Sequence, residues 1–157
     1  MIDLHLHTNH SDGTDTVTEL LEKAEQLKLE IISITDHDTV EAYKELENSE
    51  IRNKFSGEIL PGVEIKAIYD NHNIEVLGYG INPNNIKIYK CDNLQEKILE
   101  HFKQVADRYE IKYDKYMSGG SDYHAKNKSD IQIGTGRNNL HIDKEFVENW
   151  IKVLPKI

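Results

Sequence analysis

Met1-Ile2-Asp3-Leu4-His5-Leu6-His7-Thr8-Asn9-His10-Ser11-Asp12-Gly13 opens the chain and reads as a short strand running into a cluster of metal-ligand side chains. Successive side chains of a strand point to opposite faces. Ile2, Leu4 and Leu6 therefore share an apolar face that can pack beneath helices, while His5 and His7 share the other. Two imidazoles side by side are close enough to hold one ion. Asp12 follows in Ser11-Asp12-Gly13, where glycine permits a tight bend. A bare His-x-His is a common pattern, and a half-buried polar histidine is the plain alternative for this stretch taken alone.

Outward from there, Thr16-Val17-Thr18-Glu19 has the capping-box pattern. Val17, Leu20, Leu21, Ala24 and Leu27 then recur at helical spacing and predict an amphipathic helix. Ile31-Ile32-Ser33-Ile34-Thr35-Asp36-His37 reads as a buried strand. Ile32 and Ile34 share one face, and Ser33, Thr35 and His37 share the more polar one, so His37 lands at the strand's end as His7 does. A second helix is expected from Thr39 to Asn48, burying Val40, Tyr43 and Leu46. The segment from Glu58 to Tyr69 reads as a strand, and Glu64 is an acid inside it, costly unless paired or bound to metal. Ile74 to Ile81 is its expected hairpin partner, reached through Asp70-Asn71-His72-Asn73.

Residues 82–93 are rich in Asn and Asp and read as a loop, followed by a helix from Leu94 to Tyr109 with His101 at the edge of its apolar stripe. Gly119-Gly120-Ser121-Asp122-Tyr123-His124 puts Asp122 and His124 two apart, on one face if the segment is a strand. Ile131 to Arg137 reads as a short strand and turn, and a last helix from Lys144 to Leu154 is expected to bury Phe146, Val147, Trp150 and Ile151.

With 157 residues, no internal repeat and no long linker, the chain is expected to form one domain over 1–157. The net charge of −9, from 19 basic and 28 acidic residues, counts against a nucleic-acid groove, which needs a basic footprint. A small phosphorylated substrate remains open, because bound divalent cations supply local positive charge. Cys91 is the single cysteine, so no disulfide forms within the chain and a reducing, cytoplasmic setting is expected. No leader pattern and no long apolar run point to export or to a membrane.

His5, His7, His37, Glu64, Asp122 and His124 each sit on or just after a short apolar strand, with a helix usually following. Such alternation predicts a parallel sheet or barrel with ligands gathered at the strands' C-terminal ends. Imidazole mixed with carboxylate suits Zn, Mn or Fe. The motifs HLHTNHSDGT (5–14), SITDHDT (33–39), LPGVEI (60–65) and GGSDYH (119–124) resemble, in order, the four signature motifs of the polymerase-and-histidinol-phosphatase (PHP) family. EVLGYGI (75–81) and IGTG (133–136) also resemble family stretches.

The resemblance implies an α/β fold, a distorted (β/α)7-type barrel, here truncated, with its middle shortened over 82–117 and up to three divalent metal ions. His5, His7, Glu64 and Asp122 match one metal site of the family, and Asp12, His37 and His124 match another. At the third site, Glu75 stands where relatives mostly carry a histidine, and the family's second histidine there has no counterpart. Glu75 is either a carboxylate ligand or a solvated hairpin residue, so two ions are expected and the third stays open.

The activity implied is hydrolysis of a small phosphorylated molecule or nucleotide by attack of a metal-bound hydroxide, with Glu64 bridging metals. His10 beside the cluster is a candidate contact to substrate or leaving group, or else an ordinary loop histidine; Arg137 is a candidate phosphate contact, or a surface arginine. The alternative is a weakened domain that binds metal as a regulatory module. A nuclease or proofreading role is a third reading, which the acidity opposes. A barrel short of strands exposes edges, to be covered by rearrangement or by a second copy, hence an expected homodimer.

Overall fold

A computed structural model describes residues 1–69, 72–84 and 119–157. Asp70 and Asn71 of the expected turn, the bulk of the 82–93 loop, Cys91 and the expected helix with His101 lie outside the described residues, as do the side chains of Phe146 and Trp150.

Three parallel strands, β1 (Ile2–Leu6), β2 (Ile31–Ile34) and β3 (Glu58–Ile59), form one sheet in that order. β4 (Gly62–Tyr69) and β5 (His72–Tyr79) form an antiparallel hairpin in full register from Gly62–Tyr79 to Tyr69–His72. Parallel neighbours need a crossover, and α1 (Val17–Gln26) supplies it between β1 and β2. The capping box forms as the sequence predicts: Glu19 N donates to Thr16 Oγ1 (3.2 Å) and Thr16 N to the Glu19 carboxylate (2.8 Å). Val17, Leu20, Leu21 and Ala24 are buried. Leu27 caps the helix and is exposed; the chain turns through Lys28 (φ 53°), and Leu29 enters the core in its place.

The expected helix over 39–48 is instead α2 (Glu41–Glu45) followed by α3 (Ser49–Arg52). Asn48 causes the break: its side chain accepts from Glu50 N (3.0 Å) and serves as the N-cap of α3. The expected 58–69 strand is also split. Leu60 N still bonds Ile32 O (2.9 Å), but the next N–H of that ladder, Gly62 N, donates to the Tyr43 hydroxyl (2.7 Å), and beyond it the chain exchanges β2 for β5 as partner. The last helix is two short pieces, a 3₁₀ turn at Lys144–Phe146 and α4 (Glu148–Ile151), separated by Val147 at φ −110°. The 119–124 segment is not a strand. A single parallel bridge, Tyr123 to Leu6, follows Asp122 in the left-handed region at φ 58°.

The architecture is mixed α/β, and no closed barrel is present among the described residues. The change of partner at Pro61 turns the fourth strand into a hairpin, and the backbone of Ile157 pairs with Ile59 along β3 (2.9 and 3.2 Å). β1 is buried on both sides. Ile2 and Leu4 pack with Ile31, Leu60, Val147 and Ile151. Leu6, beyond an irregular register with β2, joins Val17, Leu20, Ile32 and Ile34 beneath α1. Each such residue contributes about 1.5–3 kcal/mol on burial. No helix among the described residues is long and apolar enough to cross a membrane.

Candidate metal centre

Backbone bonds build one rim at the ends of these strands. Asp122 N donates to His5 O (2.9 Å), His7 N to Tyr123 O (3.0 Å) and Thr35 N to Leu6 O (2.8 Å). His37 bridges Glu64, with Glu64 N donating to Asp36 O (3.3 Å) and Asp38 N to Glu64 O (2.9 Å). Tyr43 locks the junction: its buried hydroxyl donates to Ile34 O and accepts from Gly62 N (2.7 Å). Two glycines allow the close approaches. A Cβ on Gly120 would lie 2.2 Å from His5 N, and one on Gly13 would lie 2.5 Å from His7 O. The tight bend read from the sequence is there, with Ser11 N and Gly13 N both donating to Thr8 O, and it is this bend that leaves no room for a side chain at Gly13.

The rim brings the predicted donors together. Ligand atoms of His5, His7, Glu64 and Asp122 all lie within 4.8 Å of one another, as do those of His7, Asp12, His37 and His124, and those of His37, Glu64 and Glu75. Glu64 sits at the middle. Its Oε2 is 2.9 Å from His5 Nε2, 3.1 Å from His7 Nε2 and 3.5 Å from His37 Nδ1. Asp122 Oδ1 is 3.4 Å from His5 Nε2 and 3.6 Å from His7 Nε2. Asp12 reaches His124 Nε2 at 2.9 Å and His37 Nε2 at 3.4 Å. Glu75 is exposed, at the open side of its group.

This donor set fits a divalent cation on two counts. His7 Nε2, His37 Nδ1 and His124 Nε2 are buried without a hydrogen-bond partner, and a buried polar atom left unsatisfied is costly. Two ligand atoms each ~2.1 Å from one ion stand about 3.0–3.4 Å apart in octahedral or tetrahedral geometry, close to the separations around Glu64 and Asp122. The protonation states agree. Burial works against ionising Glu64, but the hydrogen bond from His5, the close approach of the His7 ring and the charges of His5 and His37 outweigh it and hold its carboxyl well below the usual range. Burial pushes His7 below the usual imidazole value against the close approach of Glu64, with His124, His5 and His37 adding to the fall. His124 Nδ1 donates to Asp122 O (2.9 Å), leaving Nε2 as its free donor atom.

Two singled-out residues are placed elsewhere. His10 Nε2 lies 2.5 Å from Glu45 Oε1, outside these donor groups, and Arg137 Nε donates to Asp130 (2.6 Å) at the exposed surface. Three residues not singled out matter to the rim. Asp3 is fully buried and accepts from Gly134 N (2.7 Å), Ser121 N (2.8 Å) and His5 N (3.2 Å), so it clamps the 119–136 segment to β1. Burial pushes its carboxyl above the usual range despite these bonds. Asp36, also buried, holds the loop after β1. Both were legible by the rule that picked out Glu64, an acid inside an apolar strand. Lys128 Nζ donates to Asp122 Oδ2 (2.5 Å), which nothing in the sequence signalled.

The chain is similar in part to known proteins. Over 80 residues the chain is 36% identical to the 5′-3′ exoribonuclease Rnm of Salmonella typhimurium, covering 51% of this chain and 27% of that protein. Over 82 residues it is 33% identical to a 3′,5′-nucleoside bisphosphate phosphatase of Chromobacterium violaceum, covering 52% and 28%. The match thus spans little more than a quarter of the length of these curated relatives. A crystal structure from Bifidobacterium adolescentis, assigned as a metal-dependent phosphoesterase, overlays with TM-score 0.49 at 29% identity, covering 73% of this chain and 41% of that one. The family profile described as the PHP domain matches residues 3–153. That span takes in every donor residue of the rim, and on it the chain belongs to the PHP domain family.

Proposed function

We propose that this chain hydrolyses a phosphate ester of a small molecule or nucleotide in a metal-dependent reaction. The observation that carries this reading is Glu64 Oε2, held within 3.5 Å of ring nitrogens of three histidines, two of which bury a nitrogen with no hydrogen-bond partner. The names borne by the relatives, a bisphosphate phosphatase and an exoribonuclease, support it.

In this reading His5, His7, Glu64 and Asp122 hold one ion, and Asp12, His37 and His124 a second. His37, Glu64 and Glu75 offer a third position. Imidazole with carboxylate suits Zn, Mn or Fe. Divalent ions held there supply Lewis acidity, which acidifies water and neutralises charge on phosphoryl oxygens. Glu64 faces both histidine groups and keeps them at fixed separation. His7 and His124, closed off from solvent, exclude water from beneath the centre. Asp12 and Asp122, each at least 38% exposed, mark the open side through which a phosphate approaches. His10, tied to Glu45, is assigned no step.

The test is hydrolysis, with Mn or Zn added, of an aryl phosphate, a 3′,5′-bisphosphorylated nucleoside and a short oligonucleotide. Turnover is expected on at least one, falling more than about 100-fold in His7→Ala and in Asp122→Ala. Activity that survives both substitutions overturns the assigned centre. The exposed Glu75 in place of a more enclosed ligand at the third position favours a second reading, a metal-binding regulatory module. That reading requires metal retention with no turnover on the whole panel.

A further inference from the structure

His7 belongs to two of the donor groups, and a neutral imidazole has one lone pair to give. It faces Glu64 and Asp122 through Nε2, at 3.1 and 3.6 Å, and Asp12 through Nδ1, at 3.5 Å. We infer that Ser11 and Asp36 are positioning residues that decide between them: they hold the proton of His7 on Nδ1, so that Nε2 is its metal donor beside His5, Glu64 and Asp122. This rests on reading that group as a metal centre.

The inference follows from counting protons. Asp36 is 1% exposed and takes part in none of the donor groups. Its carboxylate accepts from Thr8 N (2.7 Å), Thr8 Oγ1 (2.6 Å) and Ser11 Oγ (2.6 Å). Thr8 Oγ1 in turn accepts from His10 N (3.2 Å), so the loop between β1 and Asp12 is wound around one buried acceptor. A serine hydroxyl has a single proton. Ser11 spends it on Asp36, so toward His7 Nδ1, 3.4 Å away, it offers only a lone pair. The other neighbour of Nδ1, Asp12 Oδ1, is an acceptor as well. Both groups facing Nδ1 thus call for a proton there, whereas the Glu64 carboxylate, 3.1 Å from Nε2, competes for it only while no ion stands between them. The opposite nitrogen, Nε2, is the one left buried and unpartnered. An outer partner that fixes tautomer and ring orientation is what metal-ligating histidines require.

Two readouts on one set of proteins test this. In zinc-loaded, ¹⁵N-labelled protein, long-range ¹H–¹⁵N correlation reports which His7 nitrogen carries the proton. The wild type is expected to show Nδ1–H alone, and Ser11→Ala a mixture of tautomers. Zn²⁺ competition against a chromophoric chelator is expected to show Ser11→Ala weaker by about 10–100-fold, and Ser11→Thr, which keeps the hydroxyl, within about threefold of wild type. Ser11 lies in a partly exposed loop, so these variants keep the fold where Asp36→Asn risks it. A Ser11→Ala protein that retains the single Nδ1–H tautomer and wild-type zinc affinity overturns the inference. If the wild type takes up no zinc, the phosphoesterase reading fails separately. The comparison of metal-free wild type with metal-free Ser11→Ala then decides alone: an unchanged tautomer population overturns the role given to Ser11, and a shift toward Nε2–H sustains it.

Discussion

The two halves of the rim are built differently. β1, β2 and β4 deliver His5, His7, His37 and Glu64 through strand ladders and the bridges that prolong them. The 119–136 segment delivers Asp122 and His124 with one bridge to β1, a left-handed Asp122 and a buried carboxylate, Asp3, gripping two of its N–H groups. A ladder spreads its hold over many bonds, so no one side chain is decisive. An irregular segment depends on a few acceptors in fixed places.

If that contrast is right, the clamp side fails more sharply than the ladder side. Asp3→Ala removes the acceptor of two buried N–H groups, Ser121 N and Gly134 N, and of the part-buried His5 N, and a loss of about 3–5 kcal/mol is expected in urea denaturation, with faster proteolytic cleavage within 119–136. A loss below about 1 kcal/mol would remove the distinction between the halves. Gly120→Ala drives a methyl to 2.2 Å from His5 N. About 2–3 kcal/mol is expected in the same measurement, together with weaker zinc binding, because His5 is what moves. On the ladder side, Tyr43→Phe deletes the hydroxyl between Ile34 O and Gly62 N and is expected to cost about 1–2 kcal/mol while leaving zinc stoichiometry unchanged. Smallest is Lys128→Gln. Its pair with Asp122 is more than a third exposed on both sides, so thermal unfolding is expected to register less than about 1 kcal/mol.

The same contrast explains what was legible. Ladder-borne donors announce themselves by alternation: Ile2, Leu4 and Leu6 against His5 and His7, and a lone acid, Glu64, in an apolar run. Asp122 and His124 both reach the rim, in different donor groups, but the segment carrying them is not a strand, because a left-handed aspartate leaves no signature in a linear pattern. Asp36 has the parity of Ile32 and Ile34, an acid on an apolar face, and that signal was overlooked. The split of the 58–69 strand comes from the Tyr43 hydroxyl standing between Ile34 O and Gly62 N, a tertiary contact that the linear pattern does not encode. The bond of Lys128 to Asp122 depends on a 3₁₀ turn that periodicity does not encode. The family's barrel is a statement about how many strands meet, and the described residues supply three and a hairpin.

The grip of Asp3 on Ser121 joins residues 118 apart in sequence. Contacts of such span form slowly, because the entropy of closing a long loop precedes any reward. A ribosome that has released the chain through β5 has produced His5, His7, Asp12, His37, Glu64 and Glu75, but neither Asp122 nor His124. Each of the two four-residue groups is then one donor short, while the His37–Glu64–Glu75 group already has all its members. The order of translation therefore completes the His37–Glu64–Glu75 group first, and the two four-residue groups only once 119–124 has emerged.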